Sequence, residues 1–177
     1  MSMVNIEKAD IFVVAEFGNM RLFKKKIKLM DKKIDDIKDL KDADGVSLLQ
    51  RSIIGRNFDI SKLLLDNGAK VNNISNEGYN ELHYLGMRLF SKSAVKIAKI
   101  IVQNGGDLNL KDKLYKNTSF YYIIMELTTD KNQKKYFYDF YKFCLKYKPN
   151  LDIKNVSGVT CRDLINDSRL ISLIELI

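Results

Sequence analysis

Few side chains in this sequence could carry chemistry at neutral pH. His83 is the single histidine, and so the only side chain whose ordinary pKa makes it an acid or base near neutrality. The two cysteines, Cys144 and Cys161, are candidate nucleophiles, a role that requires a pKa lowered by a neighbouring base or a helix N-terminus. Cys161 lies near an expected helix start and is the better placed of the two. One histidine and two cysteines are too few for a Cys/His zinc site or a disulfide framework. Acidic pairs such as Asp35-Asp36 and Asp42 with Asp44 could serve hydrolysis. Asp is also the ordinary residue of turns and helix caps, where it bonds backbone N–H groups, and that reading is adopted. There is no P-loop, no G-x-G-x-x-G after a strand, no H-E-x-x-H and no EF-hand loop. The expectation is a non-enzymatic protein with no catalytic, cofactor-binding or metal-binding residue, which works by binding.

The elements that would position a binding surface follow from composition. The chain has 177 residues with 46% hydrophobic and 29% charged, within the globular range and suited to one domain or a short repeat array. One proline, nine glycines and no tryptophan favour helices with glycine-marked turns over a sandwich of short strands. No apolar run reaches the roughly 18 to 20 residues of a membrane span. The first residues lack the basic and long apolar regions of a secretory leader. With free thiols, these features predict a cytoplasmic monomer without membrane insertion.

The formal charge is +8, from 30 Lys+Arg against 22 Asp+Glu. Two segments, Arg21 to Lys41 and Lys111 to Lys148, each hold nine bases and four acids. Clustered bases can release phosphate counterions and bind nucleic acid. Almost all of these are lysine, however, which cannot read base edges bidentately as arginine does. They read first as a solvated helix face, and nucleic acid is not the expected partner. Phe137, Phe140, Tyr141, Cys144 and Leu145 fall at i, i+3, i+4, i+7 and i+8, one helix face. Such aromatics could stack on bases, but this spacing predicts packing between helix layers.

The chain also repeats. Asp42 to Asn72 aligns with Ser75 to Asn109: Gly45 and Gly78 lie 33 positions apart, and the tails DNGAKVN and QNGGDLN nearly coincide. The unit resembles the ankyrin repeat, a β-turn followed by two antiparallel helices, with T-P-L-H opening the first. By that resemblance Gly45 takes the turn glycine, Ser47 the threonine slot, Leu49 the leucine and Gln50 the histidine. Gly78, Leu82 and His83 hold the same slots in the next unit. Thr118-Ser119-Phe120-Tyr121 follows with Lys116 in place of the glycine, and Ser157-Gly158-Val159-Thr160-Cys161 opens a last fragment in which Cys161 fills the proline slot. Val14 to Asn19 looks like the end of a first-unit helix and Met20 to Met30 like its partner. The resemblance implies an all-α solenoid of about four helix-turn-helix units (5–41, 42–74, 75–111 and 112–154) with a capping fragment (155–177) ending in an apolar helix, Leu170 to Ile177. The extra residues of the longer units are expected between paired helices, around Leu89 to Ser93 and Thr128 to Lys135.

The family implies a role for His83 as well, bonding backbone groups between neighbouring repeats. It further implies that the turns and first helices form a concave binding face, whose outward slots here include Phe17, Val46, Ile54, Glu77, Tyr79, Met87, Arg88, Tyr115, Asn117 and Met125. Apolar, aromatic and arginine side chains on one strip suit a protein interface. The expected partner is therefore a protein, one with an acidic surface given the chain's net charge. Compact bacterial ankyrin proteins include inhibitors and immunity partners of a cognate toxin, and that is the specific role the resemblance implies. The alternative is a nucleic-acid or acidic-surface binder acting through Lys24 to Lys33 and Lys131 to Lys148.

Overall fold

The computed structural model describes residues 7–87, 91–129 and 135–166. Among the described residues ten helices follow one another: α1 (Ile11–Phe17), α2 (Met20–Leu29), α3 (Ile34–Ile37), α4 (Leu48–Ile54), α5 (Phe58–Asp66), α6 (Glu81–Gly86), α7 (Lys92–Gln103), α8 (Ser119–Thr129), α9 (Lys135–Leu145) and α10 (Cys161–Asn166). Among the described residues there is no strand, only two isolated bridges, Lys41 with Ser47 and Lys111 with Thr118. The chain is all-α. The expected apolar helix over Leu170 to Ile177 lies outside the described residues.

The helices form two layers. In the first, α1, α4, α6, α8 and α10 pack in succession; in the second, α2, α5, α7 and α9 do the same, each paired with the preceding first-layer helix. Apolar stripes dictate which faces meet. In α7, Ala94, Val95, Ile97, Ala98, Ile101 and Val102 are buried. In α9, Phe137, Tyr138, Phe140, Tyr141 and Cys144 are buried, and Tyr141 stacks on Phe120 of α8 at 6.1 Å between ring centres. The aromatic stretch is thus core between layers, as its spacing predicts.

Local hydrogen bonding begins each first-layer helix at a fixed kind of residue. Ser47 accepts from the Gln50 amide while the Gln50 side chain accepts from the Ser47 amide. Asn80 and His83 make the same reciprocal pair, and Thr160 with Asp163 makes it again. Thr118 accepts from the Tyr121 amide. The three reciprocal pairs are capping boxes and Thr118 supplies the forward bond alone; each satisfies amides that a helix start would leave orphaned.

The turn before each cap closes in one way. The amide of Asp42 donates to the Val46 carbonyl, Ser75 to Tyr79, Asp112 to Asn117 and Asn155 to Val159. Successive turns are then joined by single backbone bonds: Asn76 N–H to the Asp44 carbonyl, Lys113 to Glu77 and Val156 to Tyr115. A second ladder runs along the loops that end the second-layer helices. The side-chain oxygens of Asp39, Asn72 and Asn109 accept from the amides of Lys70, Asp107 and Asn150 at 2.8, 2.6 and 2.7 Å. The turn between Asp112 and Asn117 holds one residue more than that between Asp42 and Val46. Part of the length difference therefore sits at Leu114-Tyr115, not wholly between the helices.

Lys116 adopts φ +56°, so it takes the left-handed conformation that Gly45 and Gly78 hold at +69° and +87°. Gly78 has a second constraint, because a Cβ there would lie 2.8 Å from the Lys113 amide nitrogen. Gly78→Ala should therefore destabilise the fold by about 1–3 kcal/mol, measured by denaturant unfolding, whereas Lys116→Gly should stabilise it by up to about 1 kcal/mol.

Candidate interaction surface

The structure sorts the ten residues expected on the binding strip by depth. Phe17 ends α1 and is 71% exposed; Tyr115, on its turn, is 51% exposed beside Leu114 at 67%, and Met125 of α8 is 38% exposed. Glu77 is exposed at a turn tip, where its carbonyl accepts the Lys113 amide. Ile54 and Met87 are half-buried and packed against the core. Arg88 lies outside the described residues.

Three positions differ from the expectation. Val46 is buried: its amide donates to Asp42 Oδ1 and its carbonyl closes the turn, which draws the side chain inward. Tyr79 is half-buried because its ring meets those of His83, Tyr84 and Tyr122 at centroid distances of 5.3, 5.5 and 6.3 Å. Asn117 is half-buried and already engaged, its side-chain oxygen accepting from Asn155 Nδ2 at 2.9 Å. Val46 leaves the strip, and Tyr79 and Asn117 act mainly in joining turns.

Gln50 and His83, in equivalent capping positions, both reach the following turn. Gln50 Nε2 donates to the carbonyls of Asn73 and Tyr79, and His83 Nε2 lies 3.4 Å from the Asn117 carbonyl. On its other side Nδ1 lies 3.1 Å from the Asn80 amide nitrogen and 2.7 Å from Asn80 Oδ1, so the ring is tied to its own cap as well as to the next turn. Burial pushes the His83 pKa down to about 4. A histidine held neutral this way is a structural link.

Burial pushes the Cys144 thiol up to about 12 and raises that of Cys161 as well, so neither cysteine has the lowered pKa of a nucleophile. Among the described residues no group of three metal-ligating side chains gathers. Glu81 of α6 is fully buried and accepts from the amides of Asn72 and Asn73 and from Asn73 Nδ2. Burial, opposed by those donors, pushes it up to about 7. Its position holds the loop that carries Asn72 into the second ladder.

Arg51, the residue after Gln50, belongs to no motif of the sequence yet holds three carboxylates. Its guanidinium donates to Asp42 Oδ2 at 2.6 Å, Asp44 Oδ2 at 3.0 Å and Glu16 Oε2 at 3.1 Å, joining α1, the first turn and α4. Beside it is a groove of about 680 Å³, lined by Phe12, Val13 and Phe17 and edged by Asp10, Glu16, Asp42 and Asp44. Arg51 and Asp44 also line a second groove of about 430 Å³ reaching Ile54, Glu77 and Tyr84. The one available signal was that the only base in α4 sits nine residues after an acidic turn.

The comparisons with known proteins add no relative: no protein-family model matches the chain, and no curated protein matches it significantly.

Two outcomes follow from these contacts. The unfolded-state His83, with its ordinary pKa near 6.5, binds a proton that the folded one refuses until about pH 4. The His83 contribution to stability therefore falls as pH drops from 6.5 to 4, while Glu81, raised to about 7, contributes in the opposite direction over nearly the same range. The difference between wild type and His83→Gln, which supplies the Gln50-type cap, isolates the His83 part and should change by on the order of 2 kcal/mol in denaturation measured across pH. Arg51→Met leaves Glu16 and Asp42 without their countercharge. It should cost about 2–3 kcal/mol at pH 7, a loss that Glu16→Gln in the same chain reduces.

Proposed function

We propose that this chain is an ankyrin-type solenoid that acts without catalysis, as a binding module for a partner protein on the concave side formed by its turns and first-layer helices. Repetition of the turn closure, the turn-to-turn bond and the cap supports the solenoid reading. The principal packing among the described helices runs between neighbouring units, which is how a solenoid is stabilised. The observation that carries the binding reading is the exposure of Phe17, Leu114, Tyr115 and Met125 on the turns and first layer. A helix layer that buries Leu48, Leu49, Leu82, Leu85, Ile123 and Ile124 completely yet leaves these outside has apolar area beyond what its own core consumes. Large apolar and aromatic side chains of this kind supply most of the energy of protein interfaces. Among the described residues no helix is long and apolar enough to cross a membrane.

A second reading has its own support. Arg21, Lys24, Lys25 and Lys28 fall at i, i+3, i+4 and i+7 of α2, all exposed, and none is in an ion pair among the described residues. Such a stripe would bind a polyanion with an affinity that falls steeply as salt rises. The second basic segment offers less, since Lys135 pairs with Asp139 and Lys142 sits over the Tyr138 ring at 4.4 Å.

The two readings separate in a capture experiment from native lysate. Phe17→Ala/Tyr115→Ala/Met125→Ala should lower recovery of the partner at least about tenfold at moderate salt, with the melting curve unchanged. Lys24→Gln/Lys25→Gln/Lys28→Gln should leave it intact. The reverse pattern, with binding lost at high salt, would assign the function to α2.

A further inference from the structure

The groove beside α1 has a charge opposite to that of the protein. Of the second-layer helices, α2 carries five bases and no acid, α7 carries Lys92, Lys96 and Lys99 and no acid, and α9 adds Lys135 and Lys142 against Asp139. Only α5, with Lys62 against Asp59 and Asp66, goes the other way. In the first layer α1, α6 and α8 carry Glu16, Glu81 and Glu126 and no lysine or arginine, α4 carries Arg51 and no acid, and α10 balances Arg162 with Asp163. Among the described helices the positive excess thus lies on the second layer, and the first layer is slightly negative.

The 680 Å³ groove concentrates that reversal. Four carboxylates, Asp10, Glu16, Asp42 and Asp44, face two bases, Lys41 and Arg51. The Arg51 guanidinium is committed to three of the four, so a negative excess remains at the mouth. Asp44 is the most open of those three, its side chain 73% exposed. The carboxylates are also fixed in place: Asp10 Oδ1 holds the Phe12 amide, and Asp42 Oδ1 holds the amides of Asp44 and Val46. Charges already held by backbone amides lose little entropy when a ligand arrives. Phe17 projects beside them, with Phe12 and Val13 below. A volume of this size accepts one or two large side chains.

We infer that this groove takes a basic segment of the partner protein, one that sets a leucine or aromatic side chain against Phe17 between flanking lysines or arginines that meet Asp10 and Asp44. The inference rests on the binding-module reading above and specifies its partner. It reverses the partner charge that net composition favours, because a ligand answers to the charges lining its own groove, and the lysines of α2 and α7 lie in the other layer. The exposed Phe17 ring adds a face for a cation.

The test uses the full chain and three fluorescent hexapeptides read by anisotropy: Lys-Arg-Leu-Phe-Arg-Lys, the same with glutamates for the bases, and the same with glycines for Leu-Phe. The first should bind at least about tenfold tighter than either other. Phe17→Ser and Asp44→Asn, both at exposed side chains, should each weaken it at least about threefold with unchanged melting curves, and Tyr115→Ala should not. Preference for the glutamate peptide, equal binding of the glycine peptide, or indifference to Phe17→Ser and Asp44→Asn overturns the inference. Self-association in light scattering that Phe17→Ser abolishes would overturn it too, by giving the groove to a second copy. If the peptide fails while Phe17→Ala/Tyr115→Ala/Met125→Ala still loses the lysate partner, the module reading stands and only the assigned charge falls.

Discussion

The rest of the structure depends on the satisfaction of backbone groups where a turn becomes a helix. A helix of six or seven residues, such as α1, α4 or α6, leaves most of its amides and carbonyls without intrahelical partners, and alone it would not form. Here the cap residue answers the amides and the turn in front closes on itself. The next turn then donates one amide to it. Each short helix is consequently held at its start by its own unit and by its neighbour. Gln50 and His83 extend this arrangement, because the side chain that completes the capping box also reaches the carbonyl of the next turn.

Once the turns are fixed at that spacing, the packing has little freedom. The small residues stand where neighbouring first-layer helices approach most closely: a Cβ on Gly55 would collide with the Glu16 carbonyl, and one on Gly86 would meet Tyr122. Asn57 adds a polar tie at the same junction, its Nδ2 donating to the carbonyls of Ala15 and Glu16 at the end of α1. The buried hydroxyls of Ser52 and Ser61 pair at 2.8 Å and join α4 to α5 without leaving an unsatisfied group. Among the described residues no buried side-chain nitrogen or oxygen lacks a partner. The polar links are therefore compatible with an interior made chiefly of Leu, Ile, Val and Phe.

Charge follows the same two-layer logic. Second-layer helices have one buried face and one wet face, and lysine covers the wet face with its stem lying along apolar surface. First-layer helices meet neighbours on both sides and open onto the grooves, where carboxylates can bond turn amides and Arg51. Arg51 is part of the scaffold and also of the groove wall: it keeps Glu16, Asp42 and Asp44 together close to the exposed Phe17 ring.

How much of this could be read without coordinates depended on the range of the interaction involved. The stripe of α9, the turn glycines and the repeated positions of Ser47, Gln50 and His83 were legible because they recur at short or regular spacing in the chain. The helix pairing followed, since a strip of apolar residues must find another. Val46, Tyr79, Asn117 and Arg51 were not legible, because part of their surroundings comes from residues 29 to 43 positions away, or from a turn whose geometry local pattern does not specify. Composition determined that the protein is helical, that its ionisable inventory is thin and that it is basic. Only the tertiary structure decided which side carries the charge and which apolar residues remain outside, because burial and electrostatic sorting are properties of neighbours in space.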